Sequence, residues 1–239
     1  MITLPVLNRS EPYSLNPSKI IAVGLNYRDH LAEHARLHGE DSIPEPPSEP
    51  VLFAKTPNVL IGSGDAILIP RHLKDYGFAD TRTDYEAELA LVIKKRARHI
   101  GPGEALDYVL GFTAMNDVSQ RNIQKSDVSG WFRGKSFDTF GPVGPQLVLT
   151  GDIGDPQNLR ILARRNGQIV QEGNTADMIF PIAELIAYLS RQFTLEPGDL
   201  IATGTPSGVG PLQPGDEVEI EIEKIGVLRN RVEEEPTGD

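Results

Sequence analysis

Turn-forming residues interrupt this chain too often for it to hold long regular elements. It carries 23 glycines and 19 prolines in 239 residues, well above the roughly 12% of an average protein. Glycine opens the backbone conformations that tight turns need, and proline breaks helices and central strands. The apolar runs between these breaks are short. This favours many turns and short strands over a helical bundle. No regular alternation of strand and helix is present, which argues against a Rossmann fold or a TIM barrel. The length suits one domain with a buried core. The expected class is therefore α+β and β-rich, with few short helices.

Residues 19–23 form a short apolar run that reads as a strand ending at Gly24. Helical spacing runs from Asn26 to about His38, followed by a Pro-rich loop over 42–50 of a kind that can serve as a lid. Residues 85–94 read as a strand and 103–112 as a short helix. Residues 181–193 give the clearest amphipathic helix. Asn166-Gly167 between apolar runs is a two-residue hairpin signal. Residues 199–202 and 218–232 read as strands, with Val218, Ile220 and Ile222 alternating.

A formal net charge of −11 argues against nonspecific binding to nucleic acid or to anionic membrane surfaces. With no cysteine, a disulfide scaffold, a Cys-ligated zinc or iron–sulfur site and a thiolate nucleophile are excluded. No apolar stretch approaches the ~18 residues of a membrane span. The start of the chain lacks a basic segment followed by an apolar run, so the expectation is a soluble cytoplasmic protein.

The most informative segment is Thr-Asp-Tyr-Glu-Ala-Glu-Leu, residues 83–89. On a strand, Asp84, Glu86 and Glu88 share one face. Like charges on a sheet face repel, so a solvated edge is one reading. The apolar run 90–93 follows directly, however. Carboxylates at the mouth of a core strand suit a hard divalent cation such as Mg²⁺. Asp117, just after an apolar stretch, is a candidate third ligand, although Asp there is also a good helix cap. If a helix begins there, Arg121 and Gln124 lie on the face of Asp117. Arg121 can then clamp a substrate carboxylate.

His30 and Glu33 stand at i, i+3 and can meet on a helix, as a surface ion pair or as a carboxylate-oriented general base. His30 to His34 also fits the H-x-x-E-H zinc pattern, a rival reading. Arg133–Ser136 looks like the end of a phosphate-binding loop, but the glycine required five positions before Gly134 is replaced by Ser129. Lys135 is of more interest as a single cation among aromatics, able to stabilise an enolate; a surface lysine is the alternative. In residues 202–210, glycines can let backbone amides approach a ligand, and Thr205 can hydrogen-bond an anion.

Together and in this order these pieces resemble the fumarylacetoacetate hydrolase superfamily. The matching segments are GLNYRDHLAE, PVLFAKTPN, DYEAEL, GFTAMNDVSQR, WFRGKSFDTFGPVGP and LIATGTPSGVG. The resemblance covers about residues 19–232, between a short N-terminal extension (1–18) and a polar tail (233–239). It implies a mixed β-roll or sandwich, commonly a homodimer, with a Mg²⁺ or Mn²⁺ site. Glu86, Glu88 and Asp117 would be the metal ligands, and His30 with Glu33 would activate water. Lys135 would stabilise the enolate. Arg121, Gln124 and Thr205 would touch the substrate, with Lys55 a weaker candidate. Gln120 and Asn122 depart from the Ala and Asp that the family commonly or often places there. The implied activity is metal-dependent C–C hydrolysis of acylpyruvate-type 2-oxo (2-hydroxy-2-ene) carboxylic acids through an enolate that the metal holds. Isomerisation or decarboxylation of 2-hydroxymuconate-type or oxaloacetate-like acids is the alternative, and a non-catalytic metal-binding β-domain a remote one.

Overall fold

The strand Ala87–Ile93 is buried along its whole length, as its unbroken apolar run requires. In the computed structural model it is the fourth strand of a seven-stranded mixed sheet. The structure describes residues 1–37, 42, 44–128 and 130–237, apart from the side chains of His34, Arg36 and Leu37. The sheet runs Val51–Lys55, Ile20–Gly24, Leu200–Ala202, Ala87–Ile93, Val109–Asn116, Gly141–Leu149 and Leu60–Ile61. A five-stranded sheet has the order Gln168–Asn174, Arg160–Arg165, Glu217–Ile222, Gly226–Glu234 and Ala66–Ile69.

Alternation along the central strand divides the interior in two. Leu89, Leu91 and Ile93 enter the larger core with Ile161, Ala163, Ile220 and Ile222 of the five-stranded sheet. Ala90 and Val92 point the other way, against Ile20, Leu200, Met115 and Val143. The hairpin of Ile2–Leu4 and Tyr13–Leu15 adds Leu4 and Leu15 to this second core. Each fully buried large apolar side chain contributes about 1.5–3 kcal/mol.

The β-rich α+β architecture expected from the turn residues is what forms. Arg160–Arg165 and Gln168–Asn174 pair as a hairpin, with Asn166 and Gly167 at φ 53° and 78°, the left-handed pair a tight hairpin turn needs. Helix Ile182–Gln192 buries Ile182, Leu185, Ile186 and Leu189 on one side. Two expectations are corrected. Residues 103–112 are not one helix: a 3₁₀ turn, Pro102–Tyr108, gives way to the strand Val109–Asn116. Pairing with Ala87–Ile93 on one side and Gly141–Leu149 on the other overrides the local helical pattern. The strand expected over 85–94 is broken at Glu86. Thr83–Tyr85 belongs to a separate three-stranded sheet with Ser119–Gln120 and Gly210–Leu212. Among the described residues no helix is long and apolar enough to cross a membrane.

Candidate active site

The break at Glu86 shapes the site. Where the chain leaves one sheet for the next, the Glu86 amide donates to Asn116 Oδ1 and its carbonyl accepts from the Asp117 amide at 2.9 Å. Asp117 follows the last residue of the neighbouring strand, and Glu88 pairs with Met115 in the ladder. The three carboxylates therefore converge, each offering an oxygen within 4.8 Å of the others. They are 5%, 1% and 0% exposed for Glu86, Glu88 and Asp117, which overturns the solvated-edge reading. The helix-cap reading of Asp117 also fails. The next helix, Arg121–Ser126, begins four residues later and is capped by Gln120, whose Oε1 accepts from the Ile123 amide.

Buried like charges need partners. Lys135 Nζ donates to Glu86 Oε2 and Asp117 Oδ2, both at 2.7 Å. Lys55 Nζ donates to Asp117 Oδ1 at 2.6 Å. Arg121 donates through Nη2 to Glu86 Oε1 at 2.5 Å and through Nε to Asp84 Oδ2 at 2.7 Å. Burial alone would push the Glu86 carboxyl up, but Lys135 and Arg121 outweigh it and hold it far below the usual range. Among the described residues Glu88 has only the Gly204 amide, at 2.8 Å. Burial, then Asp117 and Glu86, push its carboxyl well above the ordinary value. This triad is short of positive charge at Glu88. Its all-oxygen donor set fits a hard divalent cation such as Mg²⁺ or Mn²⁺.

Lys135 is buried, not the surface lysine its loop allowed. It ends the short helix Phe132–Lys135, whose Gly134 explains the phosphate-loop likeness by packing. A Cβ there would lie 2.7 Å from the Gln124 amide nitrogen and 2.8 Å from the Gln120 carbonyl oxygen. On helix Arg28–Leu37, His30 Nδ1 lies 3.1 Å from Glu33 Oε2, and Glu33 Oε1 accepts from the Gly208 amide at 3.0 Å. Burial raises the Glu33 carboxyl, but His30 and that amide bring it below its usual value. The amides of the 202–210 loop thus hold the protein's own carboxylates, Glu88 and Glu33, rather than standing open to a ligand. The His34 side chain, on which the zinc reading also drew, lies outside the described residues.

A cavity of about 190 Å³ joins these groups, and His30, Glu86, Glu88, Arg121, Gln124, Lys135 and Thr205 all line it. Phe53 and Trp131, in edge contact, form its apolar wall. Asp117 and Glu33 stand one layer back, bonded to Lys135 and His30 respectively. Lys55 is buried behind Asp117 and does not reach the cavity wall. Neither Gln120 nor Asn122 lines the cavity. Asn122 instead ties down the neighbouring loop, accepting from the Arg82 amide and donating to the Asp80 carbonyl.

Three roles go beyond what the sequence assigns, although Asp84 shares the strand face of Glu86 and Glu88. Asp84 orients Arg121. Gln171 donates to Thr205 Oγ1 and accepts from the Ala87 amide, linking two walls of the site; one glutamine in an alternating strand gives no warning of this. Tyr27 buries a hydroxyl without a partner among the described residues. Burial, then Glu88 and Asp177, push that hydroxyl up.

A curled, strand-rich α+β domain with a buried carboxylate triad beside a lysine and a histidine–glutamate pair defines a class of catalytic domain. The fumarylacetoacetate (FAA) hydrolase C-terminal family model matches residues 19–233, and the chain belongs to that family. It is 42% identical over 241 residues to the mitochondrial oxaloacetate tautomerase of Homo sapiens, covering 96% of this chain and 72% of that protein. Its fold matches 5-carboxymethyl-2-hydroxymuconate delta-isomerase from Mycobacterium smegmatis with a TM-score of 0.77 and 37% identity, over 92% of this chain and 78% of that one. It also matches maleylpyruvate hydrolase from a Sphingobium species, in complex with manganese (II) ion and pyruvate. There the TM-score is 0.75 and the identity 31%, over 92% and 72% of the two chains. Members of this superfamily are enzymes, with isomerase, hydrolase and tautomerase activities among these relatives.

Proposed function

We propose that this chain is a divalent-cation-dependent hydrolase that cleaves a C–C bond of acylpyruvate-type 2-oxo carboxylic acids. The observation that carries this reading is that His30, backed by Glu33, lines the same cavity as Glu86, Glu88 and Lys135. The similarity to a maleylpyruvate hydrolase described with manganese and pyruvate supports it.

A cation held by Glu86, Glu88 and Asp117 supplies Lewis acidity toward the oxygens of a 2-oxo carboxylate. The side chains do the rest. Three of the five Arg121 N–H groups are committed to Asp84, Glu86 and Gln124. The other two, with the Thr205 hydroxyl, bind the substrate carboxylate. Glu33 accepts from His30 Nδ1–H, which leaves Nε2 to take a proton from water. The water oxygen bonds to the distal carbonyl carbon and the C–C bond breaks. Its electron pair stays on the carbon next to the 2-oxo group as an enolate. Lys135 uses two of its N–H groups on Glu86 and Asp117, and the third stabilises the enolate oxygen. The proton on His30 Nε2 passes to the enolate carbon, giving a carboxylic acid and a 2-oxo acid.

Proton transfer without water attack, that is isomerisation or tautomerisation, is the second reading. The likeness to an oxaloacetate tautomerase supports it. NMR product analysis with Mg²⁺-loaded protein and acetylpyruvate separates the two. Hydrolysis yields pyruvate and acetate. Intact acetylpyruvate, with faster keto–enol exchange of oxaloacetate, would replace it with tautomerisation.

The raised Glu88 carboxyl makes cation binding pH-dependent. Without a cation, a carboxyl raised in the folded state favours folding at low pH and loses that contribution as pH rises through its folded value. Cation binding favours the ionised form of Glu88, so affinity rises with pH. Calorimetry in buffers of different ionisation enthalpy should show tighter Mg²⁺ binding at about pH 8 than at about pH 6, with proton release at the lower pH. Equal affinity and no proton release would contradict the role of Glu88.

A further inference from the structure

The hydroxyl of Tyr85 reaches the His30–Glu33 pair through a single glycine. Tyr85 stands between Asp84 and Glu86 and ends the strand Thr83–Tyr85. Alternation turns its ring to the face opposite those two carboxylates. The ring enters the larger core and is 3% exposed. Its hydroxyl donates to the Gly208 carbonyl at 3.0 Å. Among the described residues no other donor reaches that oxygen. A hydrogen bond from so buried a hydroxyl fixes where its acceptor stands.

Gly208 links that hydroxyl to Glu33. Its amide donates to Glu33 Oε1 at 3.0 Å, and Glu33 Oε2 lies 3.1 Å from His30 Nδ1. The Val209 amide shares a peptide unit with the Gly208 carbonyl. Against the upward push of burial, it too helps to hold the Glu33 carboxyl down. Only glycine suits position 208. Its φ is 98°, and a Cβ there would lie 2.2 Å from the Val170 carbonyl oxygen. A Cβ at Gly210 would lie 2.7 Å from Tyr85 Oη, so that glycine makes room for the hydroxyl. Gln171 secures the same loop further back, at Thr205 and Pro206. The residues that Glu33 needs, Gly208 and Val209, are left to Tyr85.

We propose that Tyr85 is a positioning residue for the water-activating pair: its hydroxyl fixes Gly208 and Val209, whose amides hold Glu33 in the orientation that His30 requires. This rests on the reading of His30 as the base. Tyr85 does not line the cavity, so it acts through Glu33 and His30 alone. The hydroxyl, the peptide unit and the carboxylate stand in a row, and hydrogen bonds in a row polarise one another. Because Tyr85 adjoins Glu86, the segment with a candidate cation ligand and the segment that orients the base share this joint.

Tyr85→Phe keeps the ring and removes only the hydroxyl. Acetylpyruvate hydrolysis by the Mg²⁺-loaded enzyme should lose about tenfold in kcat, the scale of one hydrogen bond at a positioned group. KM, Mg²⁺ affinity and the melting temperature should stay close to native. In a Glu33→Ala background the same exchange should change kcat by less than about twofold, because both positions act through one contact. Imidazole ¹⁵N NMR, with His30→Gln assigning the His30 signals, gives a readout that needs no turnover. The native chain should hold neutral His30 as the Nδ1–H tautomer. Tyr85→Phe should shift its two ring nitrogens toward a mixture of tautomers. A native kcat in Tyr85→Phe, an equal loss in the Glu33→Ala background, or unmoved His30 signals would overturn the positioning role. A fall in Mg²⁺ affinity would overturn it too, by assigning Tyr85 to the carboxylate triad. If the native chain leaves acetylpyruvate intact, the hydrolase reading fails, and the His30 signals still decide the link from Tyr85.

Discussion

Glu86→Gln combined with Glu88→Gln is expected to lower Mg²⁺ affinity by more than about 100-fold and to abolish turnover, while the fold survives. Both changes keep shape and remove charge. Hard cations draw their affinity from anionic oxygens, and loss of even an outer hydrogen-bond partner of a ligand typically reduces affinity by roughly 10–100-fold. The fold should tolerate the exchange because each displaced cation keeps a partner. Lys135 retains Asp117, and Arg121 retains Asp84. A glutamine amide in place of the Glu88 carboxyl resembles the protonated acid that burial already favours, and the Gly204 amide still finds an acceptor. Calorimetry with Mg²⁺ and a thermal melt check both halves. Native affinity in a folded double variant would remove the triad from the mechanism.

The second large effect is expected at His30. His30→Ala should reduce acylpyruvate hydrolysis by about 10²–10⁴-fold, the usual contribution of a positioned general base. Oxaloacetate decarboxylation should fall much less, because loss of CO₂ leaves an enolate without any attack by water. The variant is well placed for this test, since Glu33 keeps the Gly208 amide when the imidazole is gone. Steady-state rates on the two substrates give the comparison. Equal losses would assign His30 to substrate binding or general proton transfer instead of water activation.

What the sequence made visible follows from how local each signal was. The alternation of Asp84, Glu86 and Glu88 into an apolar run carried the triad because a strand's period of two holds through the break at Glu86. The Asn166-Gly167 turn and the helix Ile182–Gln192 were also local, and both formed as expected. Residues 103–112 were misread because the strand Val109–Asn116 owes its form to two neighbours distant in sequence. Lys135 carried no sign of burial, since a four-residue helix is too short to show a period. The glycines of the 202–210 loop signal an approach of backbone amides to a ligand, whereas two of those amides meet the protein's own carboxylates. That Glu88 and Glu33 would be what approaches depends on pairings 116 and 175 residues apart. Gln120 and Asn122, the departures from the family pattern, turn out to cap a helix and to fix the backbone of Arg82.

The measurement that bears most directly on the central claim is anomalous diffraction from crystals of the protein soaked in Mn²⁺. One strong peak is predicted among the carboxylates of Glu86, Glu88 and Asp117. No peak there, or a peak only at a surface carboxylate cluster elsewhere, would contradict it.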